Sequence, residues 1–380
     1  MDRSSGGLGR LYTLAVVVGC LLFAGDLFAG NLASAQSALR GADASARTET
    51  ELVLDSDFPP AVDGLSPRLF GAQGGESHQG CGACGNDCGG SCGHERTDCW
   101  PAGIELTFLR PNYTTNRAFT TQSDGNSDLE FQYDLELSPR LWFGYEMCDG
   151  TGWRLTWWQF DHAPDRVFAQ PSANNEVTTP PFDGIDISSD DSTEFLLATS
   201  NLKAYTFDSE LTKRAARGCW RTEATAGVRY AFAEQEYSAQ LRNSNSALLS
   251  QVDFNHWIRG VGPTLSLAAT QFISCETNLF VRGRGSLLFG NHKWHLQGGE
   301  ELNLTAPVLT NQDGRNGETL SIVEVQAGIG WQAGKQVCRP WRPFATVAFE
   351  GQFWSGPGNA ARPDGDLGFL GFTLGVGCHW

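Results

Sequence analysis

The chain has 380 residues, enough for two ordinary domains or one large β-structure, and carries 45 Gly, 12 Trp, 23 Phe, only 2 Met and 18 % charged residues. That composition favours aromatic strands and tight turns over helices rich in Ala, Leu, Glu and Lys, so the fold class read from it is all-β. The formal charge of -16 argues against nucleic acid as a partner, because such binding rests on neutralising phosphates.

At the start of the chain, Arg3 and Arg10 precede an apolar run over residues 11–24, and Ala33-Ser34-Ala35 ends just before Gln36. The pattern predicts a secretory signal peptide over 1–35 and a mature chain from Gln36. Val17-Val18-Gly19-Cys20 resembles a lipobox, the competing reading, but the apolar run continues past it. An uncleaved membrane anchor is opposed by Asp26.

Residues 36–100 hold Ser, Ala, Gly, Pro and scattered acids with no sustained period, which predicts a flexible periplasmic linker. Its end is a cysteine cluster, Cys81, Cys84, Cys88, Cys92 and Cys99, with His94 among them. The Cys-x2-Cys opening is compatible with zinc, since thiolates at that spacing converge on one tetrahedral ion. A second Cys-x2-Cys pair at knuckle spacing is absent, and an exported chain meets oxidising conditions, so disulfides are preferred and no metal ligands or cofactor are assigned.

From residue 101 to 380 apolar positions alternate with polar or small ones, the pattern of an antiparallel transmembrane β-barrel with one strand face on lipid and the other on a lumen. Between 131 and 145 the odd positions read Phe131, Tyr133, Leu135, Leu137, Pro139, Leu141, Phe143 and Tyr145, opposite Gln132, Asp134, Glu136, Ser138, Arg140, Trp142 and Gly144. Similar registers run through 220–232 and through the last strand, which ends on Trp380. About ten strands are predicted, near 103–111, 131–145, 152–162, 194–211, 219–235, 255–271, 278–292, 320–334, 341–354 and 367–380. The third loses its phase at Trp157-Trp158 and the fourth is ragged. Each reaches the roughly 9 to 11 residues that a tilted strand needs to cross a bilayer.

Short connections follow the even-numbered strands and longer ones the odd-numbered strands, including 163–193, with Asp183, Asp186, Asp190 and Asp191, and 293–319. That asymmetry distinguishes periplasmic turns from outer loops. Cys148, Cys219, Cys275 and Cys338 fall at the short turns, and Cys99 and Cys378 at the barrel seam, so all six map to one rim and join the cluster as disulfide candidates. A soluble sandwich or propeller also alternates, but long strands with aromatics near their ends favour the barrel.

At Gly103-Ile-Glu-Leu-Thr-Phe-Leu-Arg-Pro111, at Pro139-Arg-Leu-Trp-Phe-Gly-Tyr145 with Cys148-Asp-Gly-Thr-Gly-Trp-Arg154, and at Ala226-Gly-Val-Arg-Tyr230, the chain resembles the Legionella-type major outer-membrane protein family, in its planctomycete-like branch. The resemblance covers about residues 100–380 and leaves out the cysteine cluster. It implies an outer-membrane location and a pore-forming barrel, without a catalytic residue set.

By the predicted register the lumen is lined by Glu105, Asp134, Glu136, Glu223, Glu324 and Glu350, facing Arg140, Arg154, Arg221, Arg229, Arg282, Arg284 and Arg342. Such a set either lines a narrow pore for small solutes or ions, or cross-links into ion pairs that fill a non-conducting, structural or surface-interacting barrel. Eight strands are just filled by side chains and 16 to 18 leave a channel, so ten lie toward the closed end. Asp161-His162, His292 and His295 form no recognisable reacting constellation, and the chain is read as not an enzyme, with no catalytic residue. The expected partners are outer-membrane lipids and, through the C-terminal strand, the barrel-assembly machinery, with no oligomeric state specified.

Overall fold

A computed structural model of the chain describes residues 99–122, 126–172, 175–182, 184–333, 342–360 and 365–379. The predicted export signal, most of the linker, Cys81, Cys84, Cys88, Cys92, Asp183, Cys338 and Trp380 lie outside the described residues. Among those described, every regular element is a strand: β1 (Pro101–Tyr113), β2 (Arg117–Gln122), β3 (Ser127–Glu130), β4 (Glu136–Glu146), β5 (Thr151–His162), β6 (Val167–Ala169), β7 (Glu176–Thr178), β8 (Ser188–Ser189), β9 (Glu194–Arg217), β10 (Trp220–Asn243), β11 (Leu248–Phe272), β12 (Thr277–Glu300), β13 (Val308–Gln332), β14 (Arg342–Ser355) and β15 (Leu367–His379).

Ten of them hydrogen-bond antiparallel to both neighbours in the order β1-β4-β5-β9-β10-β11-β12-β13-β14-β15 and back to β1, closing a barrel. Closure satisfies the edge strands that a bilayer would otherwise leave unpaired. The seam between β15 and β1 runs in unbroken register from Pro101 opposite His379 to Tyr113 opposite Leu367. At Gly371 a β-carbon would stand 1.8 Å from the Phe108 carbonyl oxygen, so the seam closes only around glycine there.

Around the lower half, alternate residues such as Leu106, Leu141, Leu211, Val228, Leu265, Val347, Phe349 and Leu370 are exposed, which forms the apolar band that faces lipid. Aromatics mark its ends. Trp100 packs on Phe143 and Tyr145 at the short-turn rim, and Tyr205 stacks on Phe232 at 4.9 Å above the band.

The wall is uneven in height. Strands β9 to β13 have 24 or 25 residues, whereas β1, β4, β5, β14 and β15 have 11 to 14. At about 3.3 Å per residue the tall strands run to roughly 80 Å, far beyond a bilayer crossing. Two sequence expectations change as a result. Residues 293–319 are mostly strand, and the outer connection of β10 to β11 is the short segment 244–247. Above the lipid the outward face turns polar, as at Glu234, Glu236, Gln251 and Asp253, so hydropathy alternation fades while backbone pairing continues. At 131–135 the opposite occurs: Phe131 and Tyr133 leave the strand and are buried.

The two longest outer connections fold back over the mouth. Segments of 114–135 and 163–193 form a second sheet in the order β3-β2-β7-β8. It is tied to the tall wall by Tyr237 Oη donating to the Ala118 carbonyl at 2.9 Å, Thr310 Oγ1 to the Gly184 carbonyl at 2.8 Å, and the Asp186 amide to Glu300 Oε1 at 3.0 Å. The β14–β15 connection joins it, the Ala360 amide donating to Gln235 Oε1 at 3.0 Å.

The cysteines at Cys148, Cys219, Cys275, Cys99 and Cys378 share the short-turn rim, as their registers require. Cys219 and Cys275 are disulfide-bonded. Cys378, a disulfide candidate from sequence, is a free thiol: its cross-strand neighbours are Ala102 and Pro343, and its Sγ lies 3.6 Å from the His379 carbonyl.

Candidate functional site

Alternation aims every second residue of ten strands into one bore, and the bore is stratified. Nearest the short turns is a cavity of about 200 Å³ whose lining includes Arg154, Arg214, Arg221, Glu223 and Arg282. Its aromatic wall includes Trp142 and Phe344, stacked at 5.8 Å, and the Arg221 guanidinium lies 4.8 Å over the Phe272 ring.

Above it lies a lattice of ion pairs. Arg229, fully buried, donates to Asp208 at 2.6 and 2.8 Å and to Glu324 at 2.6 Å. Arg284 bridges Asp208 and Glu210, both at 2.9 Å, and approaches Glu324 at 3.4 Å. Arg140 holds Glu105 at 2.7 Å and also Glu350, which accepts further from Thr373 Oγ1 at 2.7 Å. Arg154 joins Glu210 at 3.1 Å to Glu223 at 2.8 Å, and Arg214 joins Glu223 at 2.6 Å to Glu146. Arg282 stands at 4.0 Å from Glu105. Buried charges persist when each is paired and hydrogen-bonded, and two neighbouring networks serve these, one around Arg140 and one running from Arg229 to Arg214.

The next layer is uncharged. Thr107, Ser138, Thr206, Thr264 and Thr373 are buried on the inner face, with Ser286 Oγ donating to Thr264 Oγ1 at 2.9 Å. Above that the bore is apolar. Trp158, Phe160, Trp354 and Phe369 meet ring to ring at centroid distances of 5.0 to 6.2 Å, surrounded by Leu109, Leu202, Ile258, Leu288 and Ile322. Phe119, Phe131, Tyr133, Ile185 and Ile187 from the folded-back connections complete this core. The strand containing Trp157-Trp158 therefore keeps its phase, with Trp158 inward at 1 % exposure.

The sequence-predicted lumen residues thus divide. Glu105, Arg140, Glu223, Arg229, Arg282, Arg284, Glu324 and Glu350 meet in the ion lattice and its cavity, and Arg221 lines the cavity's lower end. Asp134 does not line the bore: it is exposed, in the segment that turns inward before β4. Glu136 sits higher, accepting from or facing His162 Nδ1 at 3.0 Å, and Arg342 is exposed at the short-turn rim. Sequence reasoning missed Glu146, Asp208, Glu210 and Arg214. Asp208 and Glu210 occupy even positions opposite the outward Phe207 and Leu211, a legible alternation in the strand that reads as ragged. Arg214 and Glu146 lie just past the predicted strand ends.

Comparison with known proteins adds three findings. A family model described as Legionella pneumophila major outer membrane protein precursor matches residues 94–336. No curated protein matches the chain. Among solved structures, the chain is similar to the outer membrane protease OmpT of Escherichia coli, at 9% identity and a TM-score of 0.39 over 74% of this chain and 96% of that one. It is also similar to the outer membrane protein OprG of Pseudomonas aeruginosa, at 10% identity and a TM-score of 0.25 over 74% of this chain and 97% of that one. A FadL homologue of Pseudomonas aeruginosa aligns at 8% identity and a TM-score of 0.22 over 74% and 90%. The first of these corrects the expectation that the chain is not an enzyme. OmpT, to which the chain is similar, is named as a protease.

Proposed function

We propose that this chain, which belongs to the Legionella pneumophila major outer membrane protein family and is an outer-membrane β-barrel, is a barrel sealed against solutes that acts at its capped outer face. One observation carries the reading: the apolar layer of Trp158, Phe160, Trp354 and Phe369 spans the bore above the ion lattice, each residue at 2 % exposure or less. Taking about 1.5 to 3 kcal/mol for burying each large apolar side chain, moving four aside costs roughly 6 to 12 kcal/mol. That leaves a spontaneously open bore in fewer than about one molecule in ten thousand.

A small-solute pore is the second reading. It is favoured by the polar cavity of about 200 Å³ below the lattice, lined by the charges that a conducting lumen would use. Planar-bilayer recordings of the refolded barrel decide between them. Silence is expected from the wild type and from Arg229→Ala/Arg284→Ala, because the ring contacts of the apolar layer involve neither arginine; discrete single-channel steps in the wild type would establish the pore instead.

Two accessory assignments belong with this reading. The outward face of β15, with Leu370, Phe372, Leu374 and Val376 all exposed, supports its role as the strand offered to the barrel-assembly machinery, and Phe372→Asp is expected to lower the assembled fraction. Residues 1–35 serve export and 36–100 the periplasmic side, on the sequence grounds given above; N-terminal sequencing of the mature protein should begin at Gln36.

A further inference from the structure

The geometry points to a binding site for a small neutral aromatic molecule bearing a hydrogen-bond donor, a phenol in chemical class, at the outer free edge of the tall wall. The inference rests on the sealed-barrel reading, whose outer face it supplies with a ligand.

β14 leaves β13 at Ser321, so the stretch of β13 above that point pairs only with β12 among the described residues. Beside this edge lies a cavity of about 1010 Å³, at the upper end of the usual range for small-molecule sites. Phe182 from the cap, Phe254 of β11 and Trp294 of β12 line it as a series of neighbouring rings, the first pair tilted at 5.3 Å between centroids and the second stacked at 6.4 Å. Trp294 lies over Gly314, where a β-carbon would come within 2.1 Å of its Nε1, so the indole is seated against a bare backbone. Three aromatic rings around a cavity suit a flat aromatic guest, which gains from offset or edge contacts.

Among the described residues lining this cavity, one buried polar side-chain atom lacks a counterpart. His292 lines the cavity at 6 % exposure, its Nδ1 is 3.3 Å from Glu318 Oε2, and its Nε2 is buried without a hydrogen-bond partner. A carboxylate only accepts, so in the neutral imidazole it favours the proton on Nδ1 and leaves Nε2 as a lone pair. A buried acceptor without a donor is costly, and a hydroxyl on the guest supplies that donor. A phenolate carries no donor for that nitrogen, so the phenol is the form bound.

The test uses the full-length protein in liposomes, with 2-naphthol and 2-methoxynaphthalene as fluorescent probes of similar shape. Saturable binding of 2-naphthol is expected, with 2-methoxynaphthalene weaker by about fivefold to tenfold for the lost donor. His292→Phe should bring 2-naphthol down to the level of the methoxy compound, and Phe254→Leu should weaken both. Equal affinity of the two probes for the wild type would overturn the proposal without any variant, as would unsaturable partitioning of both. Recording conductance on the same liposome preparation separates the two ideas: channel steps with intact 2-naphthol binding would refute the sealed barrel and leave the site standing.

Discussion

Arg229 is the most enclosed arginine of the ion lattice, and its loss makes a quantitative test. It is fully buried, bidentate on Asp208 and singly bonded to Glu324. Arg229→Met keeps the volume and removes the charge, leaving two carboxylates short of a partner. Breaking a buried pair from one side costs about 3 to 5 kcal/mol. Arg284 still reaches Asp208 at 2.9 Å and Glu324 at 3.4 Å, so the lower end, about 3 kcal/mol, is expected. With a urea slope of about 2 kcal/mol/M, the unfolding midpoint of the refolded barrel should fall by roughly 1.5 M. Adding Asp208→Leu removes the carboxylate that has lost its bidentate partner, and Arg284 keeps Glu210 at 2.9 Å. The double variant should recover at least about 1 kcal/mol over Arg229→Met alone. A midpoint unchanged in Arg229→Met, or strictly additive losses in the double variant, would refute the lattice as the element holding the bore at this level.

Three further outcomes follow from the short-turn rim and the seam. Asp149 accepts from the Thr151 amide at 2.8 Å and its hydroxyl at 2.9 Å, and these bonds, the amide first, hold its carboxyl below the ordinary value of 3.8. Its support for the turn is therefore complete above pH 3.8 and lost as the pH falls below it, so wild type and Asp149→Ala should differ in thermal midpoint at neutral pH and converge in strong acid. Gly371→Ala would drive a methyl into the Phe108 carbonyl, costing about 1 to 3 kcal/mol, and the heat-modifiable folded band should shrink on electrophoresis. In unfolded but unreduced protein, maleimide should label Cys378 and spare Cys219 and Cys275 until reductant is added; mass mapping that finds Cys378 protected would contradict the free thiol.

The ten barrel strands are legible in the sequence because lipid imposes a period of two on the outward face. Leu211, Val228 and Leu265 are apolar for that reason alone, since each points away from the protein. Where the wall leaves the lipid, the same strands face water, and Glu234, Gln251 and Asp253 give no contrast with a loop. That is why the tall strands read as ending near 235 and 292 while their ladders continue to Asn243 and Glu300. The 131–133 segment misleads in the opposite way. Phe131 and Tyr133 match the lipid-facing phase, yet they are apolar because they enter the core of the mouth. One hydropathy pattern thus arises from two environments, lipid outside and packed core inside.

Whether the inner charges conduct or seal is set by reach, a property of the closed barrel and not of any one strand. A list of inward Arg and Glu residues is the same for a wide bore as for a narrow one. With ten strands, Arg140 on β4 spans β1 and β15 to meet Glu350 on β14, and Arg284 on β12 spans β11 and β10 to meet Asp208 on β9. Guanidiniums long enough to bridge three strand intervals leave little free section in a barrel of this size. In a wider barrel the same side chains would line separate walls around water. The apolar layer obeys the same geometry, since Trp158 on β5 meets Trp354 on β14 across the intervening β4, β1 and β15. Inward tryptophans at matching height on strands three or four apart are therefore the pattern in the sequence that fits the sealed bore we propose, and Trp158 and Trp354 carry it.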